Sequence, residues 1–311
     1  MERIKDFDSF YEQKLAPLLK DLRLQSERSR TWGGVAIASA VTMLISFGIY
    51  LTSELPDMSG WIALISLILL IVSIYRYTLQ RDNYVDDFKE KVIRQIVNYL
   101  LPDVVYKPSS FVASKEYKVS GLFRQKYSHI DGDDYLQGIY KGVKFHCSEL
   151  HTEYEATPQG GLETIFKGLF FVAEPASGFY GGTYVWTKGD EQLPRSMADE
   201  HFRMYNLPAV SRLYTGHPEF DKQYSVYSTD VSEAAAIVTP TMMELMVNFK
   251  KQLQRDVVYS FVGGRCYVAI PITENLLEPG PDLEDREAIK EYFFTILLVL
   301  SIINQLHLDN L

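Results

Sequence analysis

The chain has 311 residues, with 31 Lys plus Arg against 40 Asp plus Glu and a formal net charge of −9. That balance argues against a phosphate-backbone partner, which needs a basic face, so no nucleic acid partner is expected. The two cysteines, Cys147 and Cys266, are too few for a disulfide framework and stand in no spacing suited to structural zinc, while 21 Tyr and 17 Phe suit strand-based cores and membrane interfaces.

From residue 7 onward Phe7, Phe10, Tyr11, Leu15, Leu18, Leu19 and Leu22 recur at helical spacing with charged residues in most gaps, which predicts an amphipathic helix over residues 1–31. From Trp32 to Leu51 the run WGGVAIASAVTMLISFGIYL has no charge, and twenty residues at about 1.5 Å each match a hydrocarbon core of roughly 30 Å. A second uncharged run, MSGWIALISLILLIVSIY from Met58 to Tyr75, carries Trp61 and Tyr75 near its ends, where such rings favour the interface. Neither run has a polar stripe to offer water, so residues 32–75 are expected to form a two-helix transmembrane hairpin whose contact is with membrane lipids. Lys20, Arg23, Arg28 and Arg30 precede it and Arg76 and Arg81 follow it, whereas the connecting segment carries Glu54 and Asp57. The positive-inside rule then expects both termini in the cytosol, and the long polar leader disfavours a cleaved signal peptide. Phe88, Val92, Ile96 and Leu100 repeat every four residues until Pro102, so residues 76–102 are expected to form a juxtamembrane helix that pairs with the first as a stalk.

Past Pro102 the pattern alternates, and residues 103–311 are expected to fold as a cytosolic, mainly antiparallel β domain. Strands are expected over Val143 to Glu155, Thr164 to Ala173, Gly182 to Lys188, Tyr224 to Ser228, and Val257 to Val262 turning through Gly263-Gly264 into Arg265 to Ile272. Thr239-Pro240 starts a helix running to about Leu253, with the hydroxyl at N-cap and proline at the first turn. Tyr292 to Ile303 is twelve residues, too short to cross a bilayer, with Glu287, Glu291, Thr295, Ser301 and Gln305 as a thin polar line, which suits a core helix. The fold class expected is therefore α+β: a transmembrane hairpin and stalk, then a sheet or partly open barrel closed by an apolar C-terminal helix. That layout is shared by PH-like and tubby-like domains, an analogy of fold that carries no function.

The densest polar cluster is HCSELHTEYE from His146 to Glu155, where alternation sets Cys147, Glu149, His151, Glu153 and Glu155 on one face and His146, Ser148, Thr152 and Tyr154 on the other. Glu149, His151 and Glu153 form a speculative polar cluster, but same-face neighbours nearly 7 Å apart on a rise of roughly 3.3 Å per residue sit wide for one ion, so no metal is assigned. His146 cannot serve Cys147 from the opposite face, GFYGG over 178–182 lacks a P-loop lysine, and Asp199, Glu200 and His201 read as a surface loop. No GxSxG, HExxH, EF-hand or dinucleotide fingerprint occurs, so no catalytic or cofactor-binding residue and no cofactor is expected.

FYEQKLAPLL, KGVKFHCSELHTEYE, IFKGLFFVAE, YSVYSTDVSEAAAIVTPTMMELM and FVGGRCYVAIPI, in that order, resemble the bacterial membrane family labelled domain of unknown function 3137. The resemblance implies a bacterial inner membrane protein, multi-pass, with no assigned activity to carry over. The expected role is a membrane-anchored, non-enzymatic interaction or scaffold module with a membrane protein partner or self-association. A second reading is a lipid or small-ligand binder, with Phe170, Phe171, Tyr184 and Trp186 lining a pocket. A third is an enzyme without a recognisable motif, using His151 or His201.

Overall fold

The structure is a computed structural model that describes residues 7–52, 56–123, 125–156, 160–175, 178–188, 210–280 and 285–310. The chain divides into two compact units, Met1–Ile96 with Glu278–Lys290, and Val97–Leu277 with Glu291–Leu311.

The first unit is built on two long helices, α1 (Phe7–Thr52) and α2 (Met58–Leu100). Each helix runs unbroken from an apolar stretch into an amphipathic one. They run antiparallel, since Gly33 faces Tyr77, Gly60 faces Tyr50, and Gln25 Nε2 donates to Asp87 Oδ2 at 2.8 Å. Their seam changes character along its length. At one end it buries Leu15, Leu19 and Leu22 on α1 and Phe88, Val92, Ile93 and Ile96 on α2. Through the two apolar runs it buries serines at seven-residue spacing instead: Ser39 and Ser46 on α1, and Ser59, Ser66 and Ser73 on α2. A seven-residue repeat keeps one stripe on the facing helix, and small side chains let two backbones approach closely. Hydroxyls in such a seam must be satisfied locally, and Ser39 and Ser73 donate to Val35 O and Leu69 O at 2.7 and 2.6 Å.

Both long helices contain one π-helical turn, Tyr11–Leu15 in α1 and Lys89–Ile93 in α2. The first has a local cause. Pro17 has no N–H and its ring crowds the carbonyl four residues before it, and just ahead of it Ala16 N–H reaches back to Tyr11 O, widening the turn. The structure offers no equivalent cause for the second. In this unit Arg286 also stacks on the Tyr11 ring at 4.7 Å and pairs with Asp8 at 3.5 Å and with Glu12.

The second unit contains, among the described residues, one nine-stranded antiparallel sheet. Its strands are β1 (Val105–Lys107), β2 (His129–Tyr140), β3 (Val143–Glu155), β4 (Leu162–Glu174), β5 (Gly182–Thr187), β6 (Ser211–Leu213), β7 (Tyr224–Ser228), β8 (Val258–Val262) and β9 (Arg265–Pro271). The order is β1-β2-β3-β4-β9-β8-β5-β7-β6, so the sheet is open at β1 and β6 and does not close into a barrel. Of the two expected forms, sheet or partly open barrel, the sheet is the one found. The Gly263-Gly264 turn joins β8 to β9 with φ of +58° and +78°, as the primed hairpin turn requires. Lys141 and Gly142 make the matching turn between β2 and β3, at +50° and +82°.

Register puts His146, Val172 and Tyr267 on one face of the sheet and Cys147, Phe171 and Val268 on the other. Both faces are buried in the middle of the sheet, which is why β4 and β9 read as nearly continuous apolar runs. On the first face Phe170, Val172, Tyr267 and Ala269 pack with Val112 and Tyr117, the latter on helix α3 (Ser114–Ser120). On the second, Phe145 stacks on Phe171 at 5.8 Å between ring centroids, beside Cys147 and Cys266. Three further helices follow β6: α4 (Pro218–Asp221), α5 (Val231–Ile237) and α6 (Pro240–Leu253). Thr239 Oγ1 caps α6 by accepting from Met242 N at 3.2 Å, and Met242, Met243, Met246, Val247 and Phe249 form its buried stripe. The last long helix, α7 (Arg286–Gln305), buries Tyr292, Phe293, Ile296, Val299, Leu300 and Ile303 but leaves Phe294 exposed. It is tied within the unit by Asn304 Nδ2 to Tyr140 Oη at 3.3 Å and by Phe293 edge-on to Tyr99.

Candidate functional site

The polar strand β3 does not act as one face of ligands. Glu149 is buried and accepts from Leu276 N at 2.8 Å, whereas His151 and Glu153 are half-buried and meet each other at 3.7 Å, with His151 Nε2 also 3.0 Å from Thr164 Oγ1. The structure therefore brings His151 and Glu153 together and turns Glu149 to a different set of neighbours. Those neighbours are Asp133 and Asp134 on β2. Asp133 pairs with Glu149 across the two strands, and the register slips between Asp133 and Leu136, with Asp134 at φ +58°. This bulge carries the Asp134 carboxylate inward, where Tyr106 Oη donates to it at 2.5 Å. One oxygen from each of the three carboxylates lies within 4.8 Å of the others.

Three hard oxygen donors so close could chelate a divalent cation of the calcium or magnesium kind. Tyr106 and the Leu276 amide already donate to two of the three, which also makes the cluster a brace for the β2 bulge. Gly132 is required beside it, because a Cβ there would come within 2.3 Å of Glu149 O. Asp133 and Asp134 are absent from the sequence-derived candidates. The sequence signal that marks them is the dense IDGDD, in which the acidic residues and glycine also mask the strand they belong to.

Burial pushes the thiols of Cys147 and Cys266 well above their ordinary range, and both are free and fully buried, which is the environment of an inert structural cysteine. Burial lowers the pKa of His146, whose ring lies 5.9 Å from that of Tyr135 on the opposite sheet face from Cys147. The glycine-rich segment after Pro175 is filled by the chain's own carboxylate: Tyr180 N and Gly181 N donate to Glu233 at 2.6 and 2.7 Å, and Gly182 N donates to Thr229 Oγ1 at 2.9 Å. Asp199, Glu200 and His201 lie outside the described residues. Phe170, Phe171, Tyr184 and Trp186 are all buried. They are packed core, with Trp186 Nε1 donating to Leu122 O at 2.9 Å.

These features define the class: an α+β protein with two long apolar helices ahead of an open, mainly antiparallel sheet that ends in a helix. Over residues 164–308 the chain matches the family described as "Protein of unknown function (DUF3137)". The segments of the resemblance that precede Thr164 lie outside the matched stretch. Among solved structures the chain is similar to the mycobacterial trehalose monomycolate transport factor A, TtfA, at 14% identity and a TM-score of 0.32, with 65% of this chain and 88% of that one covered. So distant a likeness carries no argument about role. No curated protein matches the chain.

Proposed function

We propose that the chain is a membrane-anchored, non-enzymatic interaction or scaffold protein that inserts α1 and α2 into a bacterial inner membrane and keeps its β-rich unit and both termini in the cytosol. The observation that carries this reading is the solvent-facing character of the hairpin. In the most apolar stretch of α1 and of α2 only 11% and 22% of the residues are buried inside protein, while Ile37, Leu44, Ile65, Ile68 and Ile71 stand exposed. Burial of an apolar side chain is worth about 1.5–3 kcal/mol, so two helices with this many exposed aliphatic residues need a non-aqueous surround. Arginines at the outer ends of both apolar runs support the orientation.

The scaffold reading is favoured over the ligand-binding one because the four aromatic side chains that would have lined a pocket are core. It is tested by cross-linking the full chain in intact membranes and identifying what is captured. A reproducible neighbour lost when the surface of the β unit is altered supports the scaffold. Capture of the chain alone removes the partner and leaves self-association.

A further inference from the structure

In the second unit, consecutive backbone amides just ahead of β5 hold a carboxylate. Tyr180 N–H and Gly181 N–H donate to the two oxygens of Glu233, on α5, at 2.6 and 2.7 Å. The approach demands glycine, because a Cβ on residue 181 would lie 2.5 Å from Glu233 Oε2. Neither partner in this contact depends on it for position. Ahead of the two amides Phe179 is buried edge-on to Phe261, with ring centroids 5.8 Å apart. Behind them Gly182 N donates to Thr229 Oγ1 at 2.9 Å and Thr229 N to Gly182 O at 3.0 Å. On the other side α5 is capped by Asp230, whose Oδ1 accepts from Ser232 N and Glu233 N at 2.8 and 3.1 Å, and is anchored by buried Ala234 and Ile237. Rotation of the Glu233 side chain alone would therefore vacate the contact and leave two aligned donors in place, a cradle preorganised for another carboxylate.

The surroundings of the cradle narrow the ligand. The Tyr180 side chain is 95% exposed although its own N–H is fixed, and Val231, two residues before Glu233, is 50% exposed. We propose that the amides of Tyr180 and Gly181 bind a peptide carboxylate of the partner that the scaffold reading calls for, and that Glu233 fills the site in the unbound chain. Backbone amides converging on a carboxylate are a recurrent means of reading a peptide terminus or acidic side chain. The internal occupant sets the selectivity. An incoming carboxylate that makes only the same two hydrogen bonds replaces Glu233 without gain, so the site favours one carried beside a large apolar side chain that can cover Tyr180 and Val231.

The test is a titration of the full chain in detergent into fluorescein-labelled peptides, read by anisotropy. Three peptides are compared: Ser-Gly-Ser-Gly-Leu-Val with a free C-terminal carboxylate, the same peptide amidated, and an amidated form with aspartate next to the leucine. Glu233→Ala should bind a carboxylate peptide at least roughly tenfold more tightly than the unaltered chain, the gain expected when an occupant that fills the site about nine-tenths of the time is removed. The amidated peptide without aspartate should not respond. Tighter binding of the free terminus or of the aspartate identifies which carboxylate is read, and either supports the site. Gly181→Ala added to Glu233→Ala should abolish the gain, since its Cβ takes the space of a carboxylate oxygen. Glu233→Gln, which keeps the shape of the side chain and loses its charge, should show a smaller gain and stands in for the alanine variant if circular dichroism shows that variant to be unfolded. Equal binding of the carboxylate and amide peptides, no gain in a folded Glu233 variant, or a gain that survives Gly181→Ala overturns the assignment and leaves Glu233 as a brace of the loop. The assignment takes its partner from the scaffold reading, yet the two fail separately: cross-linking in membranes looks for a neighbour, and the peptide titration needs none.

Discussion

The hairpin and the sheet are built inside out relative to each other. In the sheet, Phe145, Phe170, Phe171 and Val268 are buried, and the buried carboxylates of Asp134 and Glu149 are hydrogen-bonded within it. In the hairpin, five serines are buried at the seam while isoleucine and leucine face outward. With the hairpin in lipid as proposed, the same rule produces both patterns in two solvents. Water drives aromatic surface inward, whereas a hydrocarbon surround gives no such drive, so helix association there depends on close approach and small side chains.

This contrast can be broken most sharply in the sheet. Phe170→Ala should cost about 3–5 kcal/mol, because the side chain is packed among Tyr117, Phe166 and Tyr267 and leaves a cavity, and the urea midpoint of the full chain in detergent should fall accordingly. In the hairpin the damaging change is polarity on the outer face. Ile68→Arg should oppose insertion by about 2.5–3.5 kcal/mol, seen as a shift of the chain from the membrane to the soluble or aggregated fraction. An unchanged fraction would mean that Ile68 does not face lipid.

Enlarging the seam should do less. Ser66→Leu should cost about 1–3 kcal/mol in helix pairing by forcing α1 and α2 apart, whereas Ser66→Ala should change it by less than about 0.6 kcal/mol, both followed by thermal loss of helicity in detergent. The smallest effect is expected inside the β unit itself. The hydroxyl of Tyr259 is buried without a partner of bonding geometry, so Tyr259→Phe should alter stability by less than about 1 kcal/mol in either direction. A large loss there would reveal a hydrogen bond to the adjacent Tyr224, whose ring lies 6.0 Å away.

The two regions also differ in how plainly they are written. The apolar runs and their helical continuations are visible because long uncharged stretches flanked by helical-period patterns leave little ambiguity, and the ends of α1 and α2 follow. The Gly-Gly hairpin, the Thr239 cap and the strands around Val143, Thr164 and Tyr224 were equally legible, each through local chemistry. β2 was not, because Gly132, Asp133 and Asp134 interrupt its alternation and Lys141-Gly142 hides a primed turn behind a residue that rarely takes positive φ. Asp133 and Asp134 were missed for the same reason, since their approach to Glu149 depends on a bulge that pairing creates and sequence spacing does not express. The π turns were illegible too, although Pro17 gives a cause for one of them.

The brevity of β1 and β6, three residues each, matters beyond topology. Chains held in a bilayer meet one another in two dimensions, at effective concentrations far above those of free solution. A long bare edge at either end of the nine-stranded sheet would offer neighbouring copies a ladder to extend, and crowding would turn that opportunity into fibres. With the hairpin anchored as proposed, ending the described sheet on two short strands would let many copies share one membrane without their sheets joining.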